Sequence, residues 1–245
     1  THSLPANIVR DVAQAKLNRP FIKVAGIVGP ADQAVKEAKL ARILNYDLGL
    51  LSNGGLSDLS ENELIDRAQR VADIIPVFGF YLQPAVGGRI LSFDFWKRFA
   101  AIKNVHAIKV AAFNRYQTLD VVRAVCQSDR ADDIALYTGN DDNIVGDLLT
   151  PYRFEQNGKI IEKRFVGGLL GHWAFWTTRA VELLDQIKVL SPTDIPAMLA
   201  RGIEITDTNA AAFDPSHQYH GCISGINEIL RRQGLLETNL CLSEK

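Results

Sequence analysis

The chain has 245 residues, 47% hydrophobic and 22% charged, the composition of a globular protein able to bury a sizeable core. Lysine and arginine number 27 against 28 aspartates and glutamates, so a net charge of −1 gives no electrostatic footing for nucleic acid or an anionic membrane surface. No run approaches the roughly 20 apolar residues of a membrane-spanning helix, and Cys126, Cys222 and Cys241 show no paired spacing, which predicts a reduced, cytoplasmic protein.

The chain opens on a helical pattern. Six short β-rich runs follow, each running into Gly, Asn or Pro: "FIKVAGIVG" from Phe21, "YDLGLLSN" from Tyr46, "PVFGFYLQP" from Pro76, "HAIKVAAFN" from His106, "IALYTGND" from Ile134 and "FVGGLLG" from Phe165. Their starts lie 25, 30, 30, 28 and 31 residues apart. Helical patterns separate them. "ADQAVKEAKLARIL" follows Gly29-Pro30, where a proline suits a helix start. "ENELIDRAQRVADI" opens with Ser60 and, three residues later, Glu63, the signature of a capping box.

Strand, helix, strand at this spacing predicts parallel strands joined by crossover helices. An open nucleotide-binding sheet calls for GxGxxG after its first strand, and "GIVGPADQ" lacks it. The even spacing favours a (β/α)8 barrel. Six strands are visible where that fold has eight, so the expectation is a barrel lacking its first two strands in this chain, with the natural protein longer at its N-terminus. After Gly171 the repeat gives way to helices: "WAFWTTRAVELLDQI" reads as the last crossover helix, and "SPTDIPAMLARGIEITDTNAAAFDP" and "GCISGINEILRRQGLL" as two more. The predicted division is a barrel domain over residues 1–190 and a C-terminal helical extension over 191–245.

One residue breaks the apolar pattern of the strands. Lys109 lies between Ile108 and Val110, with Ala107, Ala111 and Ala112 close by and no acidic residue within several positions. An unpaired ammonium is costly to bury, and burial lowers its pKa toward the neutral amine. Catalytic side chains gather at the C-terminal ends of barrel strands, and a desolvated amine there can form a Schiff base with a carbonyl substrate. The alternative is a lysine whose stem crosses the barrel wall and whose head reaches solvent; the residue alone leaves both open. Lys23, two residues into its strand, suits the second role. At the end of the preceding strand Tyr81 is a phenol that adjacent-strand spacing of about 4.8 Å could bring to the amine. One unit later, Gly139 offers close backbone approach to a ligand.

The ordered set Tyr81-x-x-Pro84, Ile108-Lys109 and Gly139-Asn140-Asp141 resembles the dihydrodipicolinate synthase/N-acetylneuraminate lyase family, along almost the whole chain. The resemblance implies a (β/α)8 barrel with a helical extension, usually assembled as a homodimer or homotetramer. It implies a Schiff-base lysine, here Lys109, an acid/base tyrosine, here Tyr81, and a lyase or aldolase reaction on a 2-oxo acid such as pyruvate or a sugar-derived ketoacid. No cofactor or metal is implied. Gly139, Asn140, Asn53 and Arg89 complete the expected substrate-binding set. The sequence departs from the family in four places, one of them "AVGGR", which carries Arg89 and is longer than the family pattern. The family's Gly-Thr-Thr-Gly-Glu-like loop has no counterpart, "LLSNGGLSDLS" holds no tyrosine, and Val110 stands where the family often has an acid.

Two other functions fit the same pattern: a barrel that only binds a small ligand, and a metal-dependent aldolase using Asp141 and Asp142. The Asp pair could equally cap the next helix. "HQYHGC" places His217, His220 and Cys222 at a spacing metals use, without a complete ligand set. "VGGLLGHW" could hold a phosphate or simply allow close packing, and Arg231 and Arg232 sit where a helix end welcomes cations.

Overall fold

In the computed structural model, which describes residues 6–14, 18 and 20–241, all six β-rich runs are strands. Helix α1 (Ala6–Gln14) is followed by β1 (Val24–Ile27), α2 (Ala31–Ile43), β2 (Leu48–Ser52), α3 (Glu61–Ala72), β3 (Val77–Leu82), α4 (Phe93–Ala101), β4 (Val105–Ala111), α5 (Arg115–Cys126), β5 (Ala135–Thr138) and α6 (Ile144–Leu149). Then come β6 (Tyr152–Gln156), β7 (Lys159–Lys163), β8 (Phe165–Gly168), α7 (Gly171–Phe175), α8 (Thr177–Lys188), α9 (Ile195–Phe213) and α10 (Cys222–Arg232). The capping box forms: Ser60 Oγ accepts from Glu63 N, and the Glu63 carboxylate accepts from Ser60 N.

The strand order is β1-β2-β3-β4-β5-β8. A doubly wound sheet reverses direction at a switch point; this one never does. It is the winding of a (β/α)8 barrel, followed by helices α9 and α10 as the C-terminal extension.

Two compact units make up the chain: Thr1–Tyr137 with Tyr152–Lys163, and Thr138–Pro151 with Arg164–Lys245. In the first, parallel pairing sets which side chains share a face. The registers Ile27↔Leu51, Leu51↔Gly79 and Gly79↔Ile108 form a row that the helices cover. A Cβ on Gly79 would come within 2.6 Å of the Phe99 ring of α4, so this strand needs a glycine for the helix to seat. Ile27, Leu51 and Ile108 are at most 2% exposed on that side. On the opposite face Leu48, Leu50, Phe80, Lys109 and Tyr137 are only half-buried.

The 30-residue spacing does not anticipate the antiparallel hairpin β6–β7. Its signal is Asn157-Gly158, whose φ angles of 51° and 75° make the left-handed two-residue turn that hairpins prefer. Within the first unit it rides on α5, with Lys163 Nζ donating to Ala131 O at 2.6 Å and Arg123 stacked 5.0 Å over Phe154.

In the second unit, Leu169 N continues the ladder by donating to Thr138 O at 2.9 Å. The expected single helix from Trp173 is two, α7 and α8, because Trp176 leaves helical geometry at φ −125°, ψ 46°. Its ring then packs against Phe175 and His172, with centroids 4.8 and 5.3 Å away. Phe175, Ala212 and Phe213 form the core that joins α7 to α9 and α10, with Ile226 and Leu230 against it.

A buried cation holds the β2 end of the first unit. Arg67 of α3 is 1% exposed and donates to Gly29 O (2.8 Å), Ser52 O (3.0 Å) and Asn53 Oδ1 (3.1 Å). Burial pulls its pKa down to about 10, which still leaves it charged at neutral pH. Arg67→Ala would strand these acceptors and open a cavity, a loss of about 2–4 kcal/mol. Urea unfolding should report it; a loss below about 1 kcal/mol would mean that water replaces the guanidinium.

Candidate functional site

Strand pairing settles the direction of Lys109. In register, Ser52, Phe80 and Lys109 lie side by side on neighbouring strands, and in-register residues of a parallel sheet share a face. Phe78 and Ala107 form the layer below on the same face. Lys109 therefore projects away from the helices. Its Nζ sits 4.3 Å from the centroid of the Phe80 ring, a cation–π contact. Lys23, by contrast, ends over the Tyr46 ring at 5.9 Å and donates to Ala13 O of α1 at 3.4 Å, a packing role.

The same register turns Tyr81 the other way. Tyr81 pairs with Val110 and so points into the helix layer, where it is fully buried. Its ring lies 5.1 Å from Trp96 of α4, and its hydroxyl accepts from Leu91 N at 3.4 Å. Burial raises its pKa. The expectation that Tyr81 reaches the Lys109 amine is thus corrected: adjacent strands are close, but residues 81 and 109 sit on opposite faces. The phenol on the Lys109 face is Tyr137 of β5, which sequence reasoning missed. Its ring packs 5.1 Å from Phe78.

The other expected substrate contacts have structural partners. Asn53 Oδ1 is held by Arg67. Arg89 Nη1 donates to the carbonyls of Leu56, Ser57 and Leu59, clamping the β2–α3 loop. Asn140 is fully buried, and its amide donates to Asp147 Oδ2 at 2.9 Å in the second unit, so no surface is left for a substrate. Thr138 and Asn143 donate to the same carboxylate at 2.6 and 3.2 Å. Gly139 lies buried in this turn, between the strand and the amide that anchors it. The network explains "YTGNDDN": it folds a tight turn around one carboxylate.

The second unit also holds a fixed imidazole. Asn209 Nδ2 donates to Asp141 O at 2.9 Å, which leaves Asn209 Oδ1 to face His172 Nδ1 at 2.7 Å. The histidine therefore carries its proton on Nδ1 when neutral. His172 N donates to Asp141 Oδ1 at 3.2 Å. Among the described residues no group of three or more His, Cys, Asp or Glu side chains could hold a metal. His217 instead pairs with Asp214 at 2.6 Å, and Arg231 and Arg232 both bind Glu228. In "VGGLLGHW" the glycines serve packing: a Cβ on Gly171 would meet the Phe213 ring at 2.9 Å. No described helix is long and apolar enough to cross a membrane.

Two outcomes follow. Tyr81→Phe removes one long hydrogen bond and should cost about 1 kcal/mol or less, whereas Tyr81→Ala should cost about 3–5 kcal/mol through the cavity. Thermal unfolding reads both. Burial depresses the folded pKa of His172 below its ordinary value near 6.5. The unfolded chain then takes up the proton first, so stability should fall as pH drops below about 6.5. His172→Gln should flatten that slope in urea midpoints measured between about pH 7 and 5.

No protein-family model matches the chain, and no curated protein matches it by sequence. Solved structures do. Dihydrodipicolinate synthase from Bacteroides thetaiotaomicron superposes with a TM-score of 0.73 at 15% identity, covering 98% of this chain and 74% of that one. N-acetylneuraminate lyase from Mycoplasma synoviae gives 0.67 at 15% identity, over 98% and 73%. A prophage protein of the dihydrodipicolinic acid synthase family from E. coli K12, in complex with pyruvate, gives 0.70 at 18% identity, over 99% and 76%. The chain therefore has the fold of this family, a (β/α)8 barrel with a C-terminal helical part.

Proposed function

We propose that the protein is a divergent member of the dihydrodipicolinate synthase/N-acetylneuraminate lyase family that acts on a 2-oxo acid through a Schiff base on Lys109. The observation that carries the reading is the direction of this side chain. It stands on the face away from the helices, in a layer with Ser52 and Phe80, on a strand whose other residues over 107–111 are apolar. A fold shared with lyases and with a pyruvate-bound relative supports it.

The chemistry follows from the amine. Its neutral form adds to the C2 carbonyl of the 2-oxo acid, and the carbinolamine loses water to give a protonated imine. That imine withdraws electrons from the bond between C3 and C4: where C4 carries a hydroxyl, loss of its proton to water releases C4 as an aldehyde and leaves an enamine, which takes a proton at C3 to give an imine that water hydrolyses back to the amine and a shorter 2-oxo acid. The Phe80 ring holds the cationic amine, and then the cationic imine, over its face.

A second reading is a barrel that binds a 2-oxo acid without turning it over. It draws on the burial of Tyr81 in the helix layer, which removes the expected acid/base partner from the amine.

Incubation with pyruvate and borohydride should add a stable three-carbon adduct to the peptide that contains Lys109, and Lys109→Ala should abolish it. Peptide mass spectrometry locates the label. A label on Lys23, or no adduct with any 2-oxo acid that the protein turns over, would overturn the Schiff-base reading. An adduct without turnover would favour the binder.

A further inference from the structure

The face that carries Lys109 has a composition of its own. Across strands β1 to β5 of the first unit, Lys109 is the single charged residue on the side away from the helices. The same face carries Leu50, Phe78 and Phe80, with two hydroxyls, Ser52 and Tyr137. Ser52 Oγ already accepts from Gly54 N at 3.1 Å. Arg89, one of the expected substrate-binding residues, spends its Nη1 on three loop carbonyls. Gly26 lies in one layer with Leu50 and Phe78, and a Cβ built on it would meet nothing within 4 Å.

From this we infer that the wall beside Lys109 selects a 2-oxo acid whose far end is an aryl group, rather than a polyhydroxylated or dicarboxylic one. The inference rests on the reading of Lys109 as the imine-forming residue and names the substrate class of that site. A sugar-derived chain carries several hydroxyls, each of which loses water on entry and needs a protein partner in return. Phe78, Phe80 and Leu50 supply none. A second carboxylate meets no guanidinium on these strands. An aryl ring needs neither: it buries apolar area against Leu50 and takes offset or edge contacts with the rings of Phe78, Phe80 and Tyr137. Phe78 and Tyr137 already pack at 5.1 Å and 58°, one such tilted geometry. The amine at the upper layer then meets the carbonyl while the ring lies over Phe78 in the layer below.

Calorimetry on the full chain with three probes tests this: 4-phenyl-2-oxobutanoate, 2-oxoglutarate and a six-carbon polyhydroxylated 2-oxo acid. The aryl acid should bind at least about tenfold more tightly than either competitor. Lys109→Ala should weaken all three and keep the order, because the wall sets the order and the amine does not. Phe78→Ser should bring the three within about threefold of one another. If Phe78→Ser fails to fold, Phe78→Leu removes the ring while keeping the apolar volume and should lower the ratio of aryl-acid to pyruvate affinity by about threefold. Equal or tighter binding of either polar probe to the unaltered protein overturns the inference. Borohydride labelling is scored separately. Loss of the Lys109 adduct with the aryl preference intact sinks the Schiff-base reading alone, and an intact adduct without that preference sinks this one alone.

Discussion

Parallel pairing in register is the constraint on which the rest of the first unit depends. Once Leu51 pairs with Gly79 and Gly79 with Ile108, every residue two positions away is committed to the same face and every neighbour to the other. The helices need the face of Ile27, Leu51 and Ile108, because those side chains are the core they cover. Lys109 is one residue on from Ile108 and is therefore excluded from that core. An ammonium on the helix side would have faced Phe99 and Trp96 with no counter-charge, so the register that buries the aliphatics also gives the lysine its only inexpensive direction.

The same parity shows how residues in the expected order can still face apart. Tyr81 and Lys109 sit on adjacent strands, and their separation along the chain suits a pair that meets. Phe80, not Tyr81, is opposite Lys109. A one-residue shift in which side chain faces the amine replaces a phenol by a benzene ring. The ring holds a cation over its face but cannot exchange a proton, and Tyr137 is the phenol left on that side. Distance in sequence and even strand adjacency say little about chemistry until the register is known.

Around this sheet, polar groups that look available for substrate serve the scaffold. Arg67, Arg89, Asn53, Asn140 and Asp147 each satisfy loop carbonyls, or one another, at strand ends. Loops that run over strand ends expose backbone groups that need partners. Buried arginines and amides meet that need without a second strand. In the second unit the fully buried Asp147 carboxylate accepts from Thr138, Asn140 and Asn143.

From the sequence alone, the order of strands and helices, the parallel winding, the capping box at Ser60 and the helical C-terminal extension could be read, because each depends on local periodicity or on a few adjacent residues. Lys109 was legible for the same reason: one charge in an apolar run needs no partner to be noticed. The Asn157-Gly158 hairpin carried an equally local signal that the regular spacing masked. Tertiary structure alone decided which way Lys109 and Tyr81 point, that Phe78, Phe80 and Tyr137 share a face, that Arg67 is buried, and that Asn140 turns inward. These depend on register between strands and on which carbonyls a loop leaves unpaired, quantities set by contacts between residues tens of positions apart, which one-dimensional periodicity does not contain.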